Sequence, residues 1–135
     1  AAENGALTYG NAGGYKTTLQ SDSLTLTFER DKGILTPNTG SSPIEMTLPG
    51  HGSAAVALDD HFYIIVNNAL VIVTPTGDVI HPIPRISGET LRISHVYRHE
   101  DVIFIAYRWF YGNHPRGWLQ VELDEGFIGR WVEIS

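Results

Sequence analysis

The chain has 135 residues, 42% of them hydrophobic and 18% charged, with 14 glycines and no cysteine. That length holds one hydrophobic core without help from a disulfide or a metal, and the missing cysteines exclude thiol catalysis, thiolate metal sites and a disulfide framework. Fifteen acids against nine Lys and Arg give a net charge of −6, which disfavours nucleic acid and anionic lipid surfaces and suits a basic protein partner better.

Residues 1–14, with Gly5, Gly10, Gly13 and Gly14 among small and polar neighbours, hold no sustained period and read as a flexible N-terminal arm ahead of a single β domain over 15–135. The opening Ala1-Ala2-Glu3 is like the small residues left beside a signal-peptidase cut, so an exported protein with its signal removed is expected. No apolar run approaches the roughly 20 residues of a membrane helix, and no membrane insertion is expected.

Residues 23–29 alternate apolar and polar strictly, the mark of a strand with one buried face, and Arg30-Asp31-Lys32-Gly33 closes it as a hairpin. Residues 36–43, carrying Pro37, Asn38, Gly40 and Pro43, read as a loop before a strand over 44–48 and a turn at Pro49-Gly50-His51-Gly52. A strand over 54–58 follows, then 62–66, whose unbroken apolar run predicts burial on both faces. Asn67-Asn68 turns the chain into 69–74, and Pro75-Thr76-Gly77-Asp78 turns it again into 79–83, which makes a meander. Pro82 and Pro84 lack the donors a ladder needs, so 81–85 marks an edge or a connection. The second half repeats the pattern. Residues 91–97 alternate, 102–109 read as a buried strand, 110–117 as a loop, 118–123 alternate, and Asp124-Glu125-Gly126 turns into 127–134. No stretch holds a helical period over three turns.

Two stretches share a grammar of acids, apolar strand, turn, strand, polar-Gly turn and strand: Asp59-Asp60 onward to Gly77, and Glu100-Asp101 onward to Gly126. The two glycines are 126 − 77 = 49 positions apart, near the roughly 40 to 50 residue period of propeller blades. A closed propeller takes at least four blades and this length holds about three, so the expected fold is all-β, with antiparallel meanders forming a small sandwich or a propeller-like open stack.

No residue pattern points to chemistry. His95 and His99 lie four apart, which on a strand is about 13 Å, too far for one metal without a bend, and His51, His61, His81 and His114 stand singly. His51 and Ser53 are near neighbours without a Gly-x-Ser-x-Gly elbow or a following helix. Glu122, Asp124 and Glu125 could supply the paired carboxylates of a glycosidase, yet at a hairpin tip they read as solvated. No phosphate loop is present, so neither an enzyme nor a cofactor is expected, and a metal is expected no more than they are.

Binding is the better reading. The segment 109–118 packs Trp109, Phe110, Tyr111 and Trp118 with His114 and Arg116 around turn formers, and Trp, Tyr and Arg dominate interface energetics. A second candidate surface is made of the acidic turns Asp59-Asp60, Glu100-Asp101 and Asp124-Glu125, which the blade-like grammar would bring to related strand ends.

In its small-residue start, Gly-rich arm, β meanders over 62–83 and 102–134, acidic balance and lack of cysteine, the chain resembles the exported β-sheet immunity proteins that protect bacteria from type VI secretion effectors, those paired with a peptidoglycan-cleaving muramidase in particular. The resemblance implies a periplasmic monomer that forms a 1:1 complex with a secreted peptidoglycan hydrolase and blocks its substrate groove with loops. The alternative is a carbohydrate- or cell-wall-binding module, in which Trp109, Tyr111 and Trp118 would stack on sugar rings.

Overall fold

The computed structural model describes residues 16–81, 85–86, 89–109 and 116–134. The expected arm over 1–14 lies outside them. All the described elements are strands or turns, and the strands form three antiparallel sheets, none closed into a barrel. The all-β expectation therefore holds.

The first sheet is a meander of β1 (Thr17–Gln20), β2 (Leu24–Glu29), β3 (Lys32–Pro37) and β4 (Ile44–Thr47). The second is β5 (Gly52–Leu58), β6 (His61–Val66), β7 (Ala69–Val73) and β8 (Val79–Ile80). The third is β10 (Glu89–His99), β11 (Val102–Trp109), β12 (Arg116–Asp124) and β13 (Phe127–Ile134), extended at the β10 edge by the two-residue β9 (Arg85–Ile86). The turns compared in the sequence correspond: Asp59-Asp60 and Glu100-Asp101 each join the first and second long strands of their sheets, while Gly77 and Gly126 each precede the last strand. A third unit of the same design, β1 to β4, precedes them.

The sheets stack face to face with the second in the middle. On one side its Ala55, Ala57, Phe62, Ile64, Val66, Val71 and Val73 meet Leu19, Leu24, Leu26, Phe28, Leu35, Met46 and Leu48 of the first sheet and the segment after it. On the other, Val56, Leu58, Tyr63, Ile65, Leu70 and Ile72 meet Ile93, Val96, Ile103, Ile105, Tyr107, Leu119 and Val121 of the third. Adjacent positions along β6 feed opposite cores because side chains alternate across a strand. Each fully buried Leu, Ile or Phe contributes about 1.5–3 kcal/mol, and Gly52 leaves room for the Phe28 ring, which a Cβ there would meet at 2.6 Å.

Several boundaries differ from expectation for local reasons. β3 runs to Pro37, two residues into the predicted loop, with Pro37 opposite Leu24 at the strand end. The loop predicted to extend to 117 stops earlier, because Arg116 and Gly117 pair with Arg108 and Tyr107. β10 does not alternate throughout. A bulge between Ile93 and His95 puts Ile93 and Val96, three apart, on the same buried face. The larger correction concerns β11, predicted as buried: Ile103, Ile105 and Tyr107 are buried, but Val102, Phe104 and Ala106 are only half-buried on the outer face of the third sheet.

Candidate binding surfaces

One end of the stack gathers the acidic turns. Tight two-residue turns need positive φ, and several are occupied by residues other than glycine: Asp59 (φ 51°), Asp60 (φ 61°), Glu100 (φ 53°) and Glu125 (φ 53°). Asp tolerates this region better than Glu because its short side chain can bond locally.

Cross-sheet hydrogen bonds fix these turns relative to one another. Asp60 accepts from the Ser23 backbone N–H at 2.9 Å and from the Ser23 hydroxyl, while its own N–H donates to Ser21 Oγ at 2.8 Å. The β1–β2 turn thus clasps the β5–β6 turn. Partial burial pushes the Asp60 carboxyl upward, but the donors from Ser23, Ser21 and the Leu24 backbone outweigh it and hold the group below its usual value. Arg98 crosses from β10 to donate Nη1–H to the Ala57 carbonyl at 2.9 Å and Nε–H to the Glu100 carbonyl at 2.6 Å, anchoring the β10–β11 turn beside the second sheet. The Tyr63 phenol donates to the Gly126 carbonyl at 2.8 Å, and His61 meets Phe127 edge to face at 5.9 Å, which docks the β12–β13 turn there as well. Burial pushes the Tyr63 phenol well above its usual value, and the Asp59 charge adds to this.

Asp59, Glu100, Asp101, Asp124 and Glu125 are exposed at this end, and Asp60 is half-buried. The grouping expected from the repeat is therefore present in the geometry. Asp22, in the β1–β2 turn, and Asp78, in the β7–β8 turn, join the same end and were not anticipated; their place in hairpin turns of the repeating meander was the available signal.

The described ends of the aromatic segment, at Trp109 and Arg116, lie away from the acidic turns. Phe110, Tyr111 and His114 lie outside the described residues, and for Trp109 and Arg116 only the backbone is described. The strand ends that carry those two residues, paired through Arg108 and Arg116, are at the opposite end of β11 from Glu100-Asp101. The acidic turns and the strand ends at Trp109 and Arg116 thus lie at opposite ends of the third sheet.

Trp118 belongs to a third surface, the outer face of the third sheet. It is 44% exposed, while Leu119, its neighbour in the chain, is fully buried. Tyr97 lies 5.2 Å from it, ring to ring, and stacks on His95 at 6.2 Å. The register sets His95, Ala106 and Trp118 in one cross-strand row and Tyr97, Phe104, Gln120 and Val132 in the next. His95, which the sequence placed on a strand too far from His99 for one metal, is half-buried in this aromatic cluster.

Among the described residues no three His, Asp or Glu stand together as a metal site would require. An open depression of about 580 Å³ is lined by Gly50, His51, Ser53, Asn67 and Asn68. In it the Ser53 hydroxyl donates to the Ile65 carbonyl at 3.3 Å, a bond within its own sheet. Glu122 pairs with Arg130, which holds its carboxyl below the usual range, the reverse of the elevation a glycosidase general acid requires. No protein-family model, curated protein or solved structure matches the chain.

Proposed function

We propose that this chain is a macromolecule-binding domain that works by docking its acidic end onto a cationic protein surface, and that it serves as an immunity protein capping the substrate groove of a peptidoglycan hydrolase. The observation that carries this reading is the convergence of Asp59, Asp101, Asp124 and Glu125 at one end of the stack, on turns tied down by the Asp60, Arg98 and Tyr63 bonds. Preorganised loops lose little entropy on binding. A standard protein interface of about 1,600 Å² is within reach of a domain this size. Complementary charge would speed the encounter.

The test is co-purification and native mass spectrometry with any cell-wall hydrolase that the neighbouring genes are found to encode, together with the turbidity loss of a peptidoglycan suspension. The expected result is one hydrolase per chain and suppressed lysis. A mixture at micromolar concentration that stays unbound and fully lytic overturns the reading.

A further inference from the structure

The two ends of the stack differ in charge. At the end away from the acidic turns, the chain reverses through Arg30-Asp31 and Asn67-Asn68. One hydrogen bond to each outer sheet ties the middle sheet down there: the Gly52 N–H donates to the Arg30 carbonyl at 3.0 Å, and the Asn68 carbonyl accepts from the Ile93 N–H at 2.7 Å. Asn67 (φ 50°) and Asn68 (φ 66°) repeat the left-handed turn that Asp59 and Asp60 make at the other end of β6, with amides in place of carboxylates. By register, Lys16, Arg30, Lys32, Arg92, Arg108 and Arg116 lie toward this end and outnumber Glu29, Asp31, Glu89 and Glu133 beside them.

The open depression of about 580 Å³ bordered by Gly50, His51, Ser53, Asn67 and Asn68 lies here, where the three sheets are tied together. Its shape is built in. Asn67 lies so close over Gly50 that a Cβ at position 50 would fall 2.1 Å from the Asn67 Nδ2, and the register shift between Gly52 and Ala54 makes Ser53 the extra residue of a bulge. Around it, the side chains of Arg30, His51, Asn67 and Asn68 are exposed and make no hydrogen bond or ion pair to other described residues.

We propose that this depression binds an N-acetylated saccharide bearing a carboxylate. Its lining has no Trp, Tyr, Phe or aliphatic side chain on which a nucleobase or an acyl chain could rest, so the ligand is polar throughout its contact. Sugar hydroxyl and acetamido groups both donate and accept, and so do the amides of Asn67 and Asn68, the Ser53 hydroxyl and a neutral His51 ring. Arg30, held beside Gly52, and the surplus of cations at this end select a sugar that carries a carboxylate, which a guanidinium meets with charge-assisted hydrogen bonds. An acidic peptide is the rival, but uncharged donors and acceptors outnumber the arginine in the depression, which favours a ligand richer in hydroxyl and amide groups than in charge. The choice of a cell-wall glycan as that saccharide rests on the reading of the chain as a wall-hydrolase inhibitor, whereas the polar depression and the charge around it do not.

Calorimetric titration and amide NMR on the full chain test the proposal, with soluble peptidoglycan fragments as the probe and a neutral N-acetylglucosamine oligomer and a polyglutamate peptide as comparators. The expected result is saturable binding of the fragments with Kd below about 1 mM, and shifts centred on His51, Asn67 and Asn68. Replacing both asparagines by glycine, which keeps the positive φ and removes the amides, should weaken binding at least tenfold with unchanged circular dichroism; His51→Ala is the second variant should that one fail to fold. Arg30→Gln should weaken the fragments about fivefold and leave the neutral oligomer unaffected. Absence of binding at about 5 mM fragments overturns the proposal, as do shifts that fall on Tyr97 and Trp118 instead, a neutral oligomer bound as tightly as the fragments, or polyglutamate bound as tightly as either. Hydrolase capture is assayed without glycan and reports on the acidic end alone, so the two readings fail separately.

Discussion

Tyr63, fully buried in the middle sheet, donates its phenolic hydrogen to the carbonyl of Gly126 at 2.8 Å, joining the second sheet to the last hairpin of the third. Replacing it with phenylalanine strands that carbonyl beside an apolar ring. Tyr63→Phe is expected to cost about 1 kcal/mol in urea-unfolding stability. It also changes the alkaline limb. The phenol is charged only when deprotonated, and its folded pKa is raised above the unfolded value. The neutral tyrosine therefore contributes fully below pH of about 10, and its contribution falls as pH rises past that point and the unfolded state deprotonates. Wild type should lose stability above that pH faster than Tyr63→Phe, measured as urea midpoint against pH.

Asp60 is the acid counterpart. Its folded pKa is depressed by the donors around it, so its stabilisation is present above the unfolded pKa near 3.9 and is lost as pH falls through the folded value. Asp60→Asn keeps a residue that tolerates the positive φ while removing the charge. The variant should be less stable by about 1 kcal/mol at neutral pH, and the gap to wild type should close as pH falls through the folded value. A gap that stays constant as the pH is lowered would mean the cost came from shape rather than charge.

The strand inventory and the fold class were legible because alternation and turn residues are local signals. Residues 23–29 show their buried face by parity, and Asn67-Asn68 and Asp59-Asp60 mark their turns by residue type. What could not be read was which sheet lies in the middle. Residues 62–66 and 102–109 are similar apolar runs, yet among the described residues β6 is covered on both faces and β11 on one, because burial depends on stacking order rather than on the strand itself. For the same reason the cluster of His95, Tyr97 and Trp118 was invisible: its members are drawn from strands separated in sequence and meet only through register and the bulge at Ser94. The grouping of the acidic turns was visible because it follows from the repeat alone.

The exposed acids at the end of the stack are not needed for folding in the way Asp60 is. Changing Asp59, Asp101 and Glu125 to their amides should leave the urea midpoint within about 0.5 kcal/mol of wild type. If the acidic end meets a cationic partner, the same variant should associate at least tenfold more slowly at low salt and lose most of the ionic-strength dependence of the association rate. Stopped-flow mixing across a salt series reads both.

Two glycines with the same backbone conformation separate strain from space. Gly40 and Gly126 both have φ near +87°, but a Cβ at Gly40 meets nothing within 4 Å, whereas one at Gly126 would fall 2.3 Å from His61 Nε2. Gly40→Ala should cost only the left-handed penalty of about 1 kcal/mol. Gly126→Ala must in addition displace the His61 ring from its contact with Phe127, and should cost about 2 kcal/mol or more, read from thermal or urea unfolding.

The stacking order itself can be tested with two phenylalanines. Phe62 sits on β6 in the middle sheet with no exposure and packs among Phe28, Leu26 and Val73, so truncation opens a cavity that flanking sheets cannot easily close. Phe62→Ala should cost about 3–5 kcal/mol. Phe104 lies on β11 in an equally apolar run but faces outward and is half-buried, so its loss exposes surface instead of creating a void. Phe104→Ala should cost under about 1.5 kcal/mol. Equal penalties at the two positions would mean that the third sheet is covered on its outer side in the monomer, and that the second sheet is not the centre of the stack.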